Sequence, residues 1–382
     1  MNISIIGAGN IGTYLAAYIS TKKEHKVWLH TSKPQQVKRE IILDEEEKGV
    51  FHKGNIHCVT SSYREITEKA DYILITHPSF MIKDTVKEIS KFVREGTVIG
   101  FIPGFGGKEY LVQELRNKGC IIFGSQRVPA IVRLNKYGER VCLKQKNEFI
   151  KIGVIPNSFA KKVSDELAGL IDIPCTHVSN YLSITLSPSN PTMHPSRLYE
   201  LFKDYCEGET IYNKNPYFYE EWGNEASDIL LRLDEELYSI FEALNKERSF
   251  DENDIEKVKD RFKIENSAQL TKKIRSAIGF SGITSPMIQN DSGFVPDRNS
   301  RYFIEDIKFG LCIIKAFGVL CNIETPEVDK LINWGQAFLN KEYIIDNKLI
   351  GKDIDELIIP QTIGIDNYSK LINYYKNMNI EL

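Results

Sequence analysis

A histidine held between two prolines is where this sequence first offers chemistry. His194 lies in Ser189-Asn-Pro-Thr-Met-His-Pro-Ser-Arg197, flanked by Pro191 and Pro195. Each proline fixes its own φ and pushes the preceding residue away from helical backbone, so His194 is expected in an extended or turn conformation. An imidazole titrates near neutral pH, and one held firmly in place can give and take protons. Its prospective partners lie far downstream in Ser300-Arg-Tyr-Phe-Ile-Glu-Asp-Ile307. Arg301 offers a bidentate fork to a carboxylate. Asp306, a little beyond one helical turn later, could accept a hydrogen bond from His194, set its tautomer and stabilise its charged form. A nicotinamide enzyme reducing a carbonyl or imine needs a proton donor beside the hydride acceptor, and these groups would supply one. The residues alone leave a second reading open: an ion-paired helix start at Arg301 and Asp306, with His194 satisfied in a rigid loop.

The start of the chain supplies a second constellation. An apolar strand, Ile3 to Ile6, runs into Gly7-Ala8-Gly9-Asn10-Ile11-Gly12, then a helical stretch and a second strand, Lys26 to His30. Gly7 permits the tight turn, Gly9 lets the backbone approach a pyrophosphate, and Gly12 lets helix and strand pack closely. The helix N-terminus offers free N–H groups to the phosphates. Strand, turn, helix and strand in this order separate a dinucleotide fingerprint from a plain glycine turn. After the second strand an NAD-selective site normally carries an acid for the ribose 2′-hydroxyl. Here Ser32 and Lys33 follow, with Arg39 further on and no acid before Glu40. A hydroxyl and positive charge suit a 2′-phosphate, so NADP(H) is favoured over NAD(H).

The elements that must position these groups fall into two halves. Strands at Tyr72–Thr76, 97–101 and 120–123 alternate with helices at 81–93 and 107–118, a βαβ rhythm that predicts a doubly wound parallel sheet. The loop Pro103 to Gly107 follows its strand where such sheets place ligands. Beyond about residue 180, apolar residues at 226, 229, 230, 233, 237, 240, 241 and 244 keep helical spacing, and 268–278 and 302–320 read likewise. Thr325 and Pro326 look like the cap and first residue of a further helix, and the charged stretch 246–266 reads as a solvated excursion. The expected fold is α/β: a Rossmann-type domain over 1–180, then an all-helical substrate and catalytic domain over 181–382.

Composition narrows the function classes. The 382 residues are 42% apolar and 26% charged with a net charge of −3, so neither nucleic acid nor an anionic membrane is expected as a partner. The seven cysteines form no C-x-x-C pair, which speaks against a structural zinc site or a disulfide framework, and no metal is expected. No apolar run approaches the ~18 residues that would span a bilayer, and no signal peptide precedes the strand at Asn2. A cytoplasmic protein acting on small molecules, with room for a homodimer, is the expectation.

Taken together, these motifs resemble the octopine/nopaline dehydrogenases, the opine dehydrogenase family. The resemblance rests on the glycine fingerprint, on Asn190-Pro-x-x-His194-Pro, on Tyr217-Phe-Tyr219, and above all on Ser300-Arg-Tyr-x-x-Glu-Asp306-Ile-x-Phe-Gly-Leu311. Gly318-Val and Thr325-Pro-x-x-Asp329 follow. It implies reductive condensation of a 2-oxo acid such as pyruvate with the amine of an amino acid, giving an N-(carboxyalkyl) amino acid. His194 would then be the general acid and base, Asp306 its orienting partner, Arg301 the clamp on a substrate carboxylate, and Asn190 a hydrogen-bonding contact to substrate or nicotinamide. Lys308 stands where the family often has proline. Two other readings stand beside it: a ketopantoate-reductase-like 2-oxo acid reductase, and a non-catalytic NADP-binding sensor. Tyr212, Tyr217, Tyr219 and Trp222 form an aromatic stretch that reads as a hinge cluster or as the lining of an amine pocket.

Overall fold

The computed structural model describes residues 1–247, 251 and 254–378. It divides into two compact units, Met1–Thr185 together with the chain from Asn373, and Leu186–Ile372. The boundary therefore falls a few residues beyond 180, and the end of the chain returns to the first unit.

The first unit is built on an eight-stranded sheet. Its strands run, edge to edge, Cys175–His177, Ile150–Ile155, Ile121–Ser125, Val98–Phe101, Tyr72–Ile75, β1 (Asn2–Ile6), β2 (Lys26–His30) and Cys58–Thr60. All neighbours pair parallel except Ile150–Ile155 against Ile121–Ser125. β1 lies between β2 and Tyr72–Ile75, so the chain reverses its winding beside β1, the place where such sheets bind ligands. Ile3, Ile5, Leu29, Leu74 and Phe123 are buried on the sheet, each contributing about 1.5–3 kcal/mol of apolar burial.

The helix α1 (Asn10–Ser20) follows β1 and is covered by a second, four-stranded sheet that the sequence reading did not anticipate. It comprises Val50–Asn55, Glu40–Glu45, Arg140–Lys146 and Ala130–Lys136. A Cβ on Gly54 would lie 2.3 Å from the carbonyl oxygen of Ala17, so glycine is what lets this sheet close on α1. The expected helix over 107–118 is instead a short 3-10 turn, Lys108–Leu111, and a helix, Gln113–Asn117. Gly106 and Gly107 enter that turn at φ 90° and 74°.

Glu109 in that turn is fully buried, and burial pushes its carboxyl up to about 7 from an ordinary 4.5. Thr185 donates to its Oε1 at 2.5 Å and Tyr375, from the last helix (Tyr368–Met378), donates to the same oxygen at 2.7 Å. Tyr110 hydrogen-bonds Tyr375 at 2.7 Å, completing a buried polar knot.

The second unit is helical, with one two-stranded hairpin (Met287–Asn290 with Gly293–Pro296). Its axis is the long helix Asn224–Leu244, whose apolar positions from Ala226 to Leu244 are buried at the expected spacing. The histidine helix (Asn190–Phe202) and the helices Cys312–Cys321 and Pro326–Phe338 pack against it. Thr325 does precede the last of these, but its hydroxyl accepts from buried Lys315 at 3.2 Å instead of capping the helix. The cap comes from Glu236 on the long helix, which accepts from the N–H groups of Glu327 and Val328 at 2.6 and 3.0 Å. Lys315 is neutralised by Asp329 at 2.7 Å, a buried pair that would leave an uncompensated charge if either partner were removed. Part of the stretch read as a solvated excursion, 248–250 and 252–253, lies outside the described residues. The rest carries the helix Val258–Phe262 and buries Ile255 and Ile264, so it is anchored rather than free.

The Glu109 knot predicts a pH effect. The folded state keeps a proton up to about pH 7 that the unfolded chain releases near 4.5. Its contribution to stability is therefore complete below pH 4.5 and lost as pH rises to 7, by about 3 kcal/mol in all. Urea denaturation of the wild type and of Glu109→Gln across this range should show that difference shrinking with pH; a constant difference refutes a neutral buried carboxyl.

Candidate functional site

His194 is not in extended backbone: it sits in the second turn of the histidine helix, which accommodates both prolines. Pro191 occupies the first turn, where an N–H has no helical partner in any case. Pro195 lies one turn on, so the bond it cannot donate is the one owed to the carbonyl of Pro191, still at the helix start. The restrictions of the two prolines are not additive, because Pro191 falls on a position that proline tolerates.

The ring is buried and has both nitrogens engaged. Nδ1 lies 2.7 Å from Asp306 Oδ2 and Nε2 lies 2.9 Å from the hydroxyl of Tyr219. An ionised carboxylate can only accept, so Nδ1 carries the proton; in the neutral ring Nε2 is then an acceptor, and Tyr219 donates to it. Tyr302 meets the imidazole edge-on, 4.1 Å between centroids, and Phe218 meets it edge-on at 5.6 Å. Asp306 is equally buried, and burial raises its carboxyl pKa against the opposing pull of His194.

Asp306 is aimed at the ring by a break in helical regularity. The sequence predicts one helix over 302–320; the structure has a short helix, Arg301–Ile304, a π-helical turn, Ile307–Leu311, and then Cys312–Cys321. The wide turn is closed by the Leu311 N–H on the Asp306 carbonyl at 2.9 Å. Such turns often mark functional positions, because the extra residue re-aims a side chain without ending the helix. Gly310 within it faces Pro191, where a Cβ would come within 2.4 Å of the proline's own Cβ. The π turn and the histidine helix thus touch directly, which sets the distance between Asp306 and His194.

Tyr219 is held as firmly. Arg197, on the same helix as His194, donates from Nε to the Phe218 carbonyl at 3.0 Å and pairs with Glu200. Glu200 in turn accepts from the N–H groups of Gly223 and Ala226 at 3.1 and 3.3 Å, capping the long helix. The Tyr219 ring lies over Phe280 at 4.2 Å, nearly parallel.

Arg301 does not join this cluster. Its side chain is 67% exposed and pairs with Glu305 one turn along, at 2.7 Å. Asn190, the first residue of the histidine helix, is exposed. Lys308 turns to Glu356 at 2.7 Å. Sequence reasoning brought His194 and Asp306 together but did not assign Tyr219 or Tyr302 to the same site. Both stand inside the quoted motifs, and their nearness to His194 was the signal that periodicity could not provide.

The glycine loop in the first unit fits a dinucleotide. Gly7 has φ +107°, a left-handed conformation, and its carbonyl oxygen would lie 1.7 Å from a Cβ on Gly12. Gly9 meets nothing within 4 Å of a built Cβ and precedes α1 without a side-chain cap, leaving an open, uncapped helix start. Ala8 is buried below it, Ile11 is partly buried, and Asn10 accepts from the Leu134 N–H at 2.8 Å, tying the loop to the four-stranded sheet. After β2, Thr31 is buried on the Tyr137 hydroxyl, while Ser32 and Lys33 are exposed. His77 packs against Gly7, and burial depresses it to about 4, so that ring adds no positive charge.

Both units of the chain have counterparts among known proteins. Residues 177–339 match the alpha-helical domain of NAD/NADP octopine/nopaline dehydrogenase, and residues 3–153 match ketopantoate reductase PanE/ApbA. Tauropine dehydrogenase from Arabella iricolor is 25% identical over 97% of this chain and 99% of its own length. An opine dehydrogenase from Haliotis discus hannai is 24% identical over 98% of each chain. An octopine dehydrogenase solved with NADH and L-arginine shares the fold at a TM-score of 0.83, with 20% identity and 98% of both chains covered. With a dinucleotide loop in one unit and the His194–Asp306 pair in the other, the chain is an NAD(P)-dependent oxidoreductase whose helical unit matches that of the octopine/nopaline dehydrogenases and which is similar along nearly its whole length to opine dehydrogenases.

Proposed function

We propose that the protein condenses a 2-oxo acid with the amine of an amino acid and reduces the product, with NADPH preferred over NADH. The observation that carries this reading is the buried His194–Asp306 pair at 2.7 Å. A histidine whose Nδ1–H is fixed by a carboxylate presents Nε2 for proton transfer and is stabilised when it becomes charged. His194 is the general acid and base, and Asp306 keeps the ring in the tautomer the reaction needs.

Arg301 holds a substrate carboxylate by exchanging Glu305 for it. The guanidinium is exposed and can turn toward a substrate, and a substrate carboxylate of good geometry would replace the contact it gives up with the buried Glu305. Asn190 adds a hydrogen bond from the start of the histidine helix. The dinucleotide is held by the backbone of Gly7, Ala8, Gly9, Asn10, Ile11 and Gly12, with Ser32 and Lys33 on the ribose phosphate; when bound, it supplies the hydride. Pyruvate and an amino acid with a free α-amine are the substrate classes this arrangement suits, and the octopine dehydrogenase solved separately with NADH and pyruvate and with NADH and L-arginine supports the choice.

NADPH oxidation with pyruvate and a panel of amino acids tests the reading: turnover should require both substrates. Oxidation with the oxo acid alone would indicate a simple reductase instead. His194→Ala should lower turnover by about 10²–10⁴-fold, and Asp306→Asn by on the order of tenfold or more, with NADPH binding kept in both. Lys33→Ala should weaken NADPH by about tenfold in KM and leave NADH unchanged, the loss of one charge-assisted contact. Equal losses for both cofactors would place the 2′-phosphate elsewhere.

A further inference from the structure

We propose that Tyr219 relays the proton between His194 and the substrate. The inference rests on the condensation reading above and adds a residue to it. Once Nδ1 is committed to Asp306, Nε2 is the only ring nitrogen left for proton transfer, and the Tyr219 hydroxyl occupies it at 2.9 Å. The phenol is not a passing occupant. Its ring is 5% exposed, stacked on Phe280 at 4.2 Å and edge-on to Phe218 at 4.9 Å. Its backbone neighbour Phe218 is tethered by Arg197 to the helix that carries His194, so histidine and tyrosine are mounted on one frame. A group built in so rigidly stays on Nε2 during the reaction, and a proton leaving Nε2 passes through its oxygen.

The protons balance along this line. The amino acid arrives as an ammonium. It loses one proton to the Tyr219 oxygen as the phenol passes its own to Nε2, and His194 becomes the imidazolium on Asp306. The freed amine adds to the oxo carbon; a second nitrogen proton moves to the former carbonyl oxygen, giving a carbinolamine. When its C–O bond breaks, the leaving hydroxyl takes the Tyr219 proton and departs as water. The phenol oxygen recovers the Nε2 proton, and the nitrogen lone pair closes the C=N bond. The iminium keeps the positive charge that entered with the ammonium. His194 and Tyr219 return to their starting states, and no further reactant is consumed.

Tyr219→Phe keeps the stacked ring and removes only the hydroxyl. With the oxo acid and amine pair that the wild type turns over, kcat should fall by about 10- to 100-fold while both KM values stay within about threefold. In mixtures of H2O and D2O the wild-type rate should curve with deuterium content, as two protons move together, and the variant should lose that curvature. A variant with kcat within about threefold of wild type overturns the relay and leaves the condensation reading standing. A variant with higher kcat or tighter oxo-acid binding also overturns it, because the phenol then competes with substrate for Nε2. A linear wild-type response overturns it whether or not the variant folds. Failure of the condensation reading is seen separately, as wild-type NADPH oxidation that proceeds without any amine.

Discussion

The helical unit is organised around one electrostatic demand, a hydrogen-bond partner for a carboxylate that has been taken out of water. Burying an ion costs several kcal/mol unless a partner of good geometry offsets it, and Asp306 has His194 for that purpose. The demand is mutual, because the buried imidazole needs an acceptor for Nδ1–H. Meeting it fixes the depth of the histidine helix against the π turn. The contact of Gly310 with Pro191 is the mechanical form of the same requirement. The outer supports follow: Arg197 and Glu200 join the histidine helix to the start of the long helix, and Glu236 joins the long helix to the start of Pro326–Phe338. Each cap is a carboxylate reaching from another helix, so the helices hold one another's ends in place.

Much of the first unit was legible because its signals are local. The glycine spacing and the alternation of apolar strands with helices follow from backbone geometry within a few residues. The four-stranded sheet escaped because its signal is diluted. Glu40–Glu45 buries alternate side chains, but Val50–Asn55 is exposed at every position except Gly54, and a strand that buries only a glycine shows no apolar period. In the helical unit, the 3.6-residue spacing from Ala226 to Leu244 found the long helix cleanly. The same spacing carried the reading straight through Asp306, because a π turn adds one residue and leaves the hydrophobic pattern almost intact.

The site was legible in its chemistry and not in its arrangement. His194 and Asp306 are far apart in sequence, and what singles them out is residue type, supported by the family motif. Arg301 was grouped with them because it stands on the same short segment. In the structure, Glu305, one turn along, offers the nearer carboxylate and takes the guanidinium. Tyr219 was noted only as part of an aromatic stretch, since nothing in a sequence tells a packing tyrosine from one whose hydroxyl meets a buried ring nitrogen. Local rules identify groups able to do chemistry; only tertiary contact selects which of them meet.

The last helix has a consequence for biosynthesis. Tyr375 closes the polar knot around Glu109, so a nucleotide unit whose sheet is finished by residue 177 still lacks that hydrogen bond until the helical unit has been made. During translation the sheet can assemble as its strands emerge, but Glu109, Thr185 and Tyr110 wait without their partner while the helical unit is synthesised between them and Tyr375. The two units are therefore not beads added in succession. The first is opened before the helical unit and sealed after it, which couples completion of the dinucleotide unit to synthesis of the unit that carries His194.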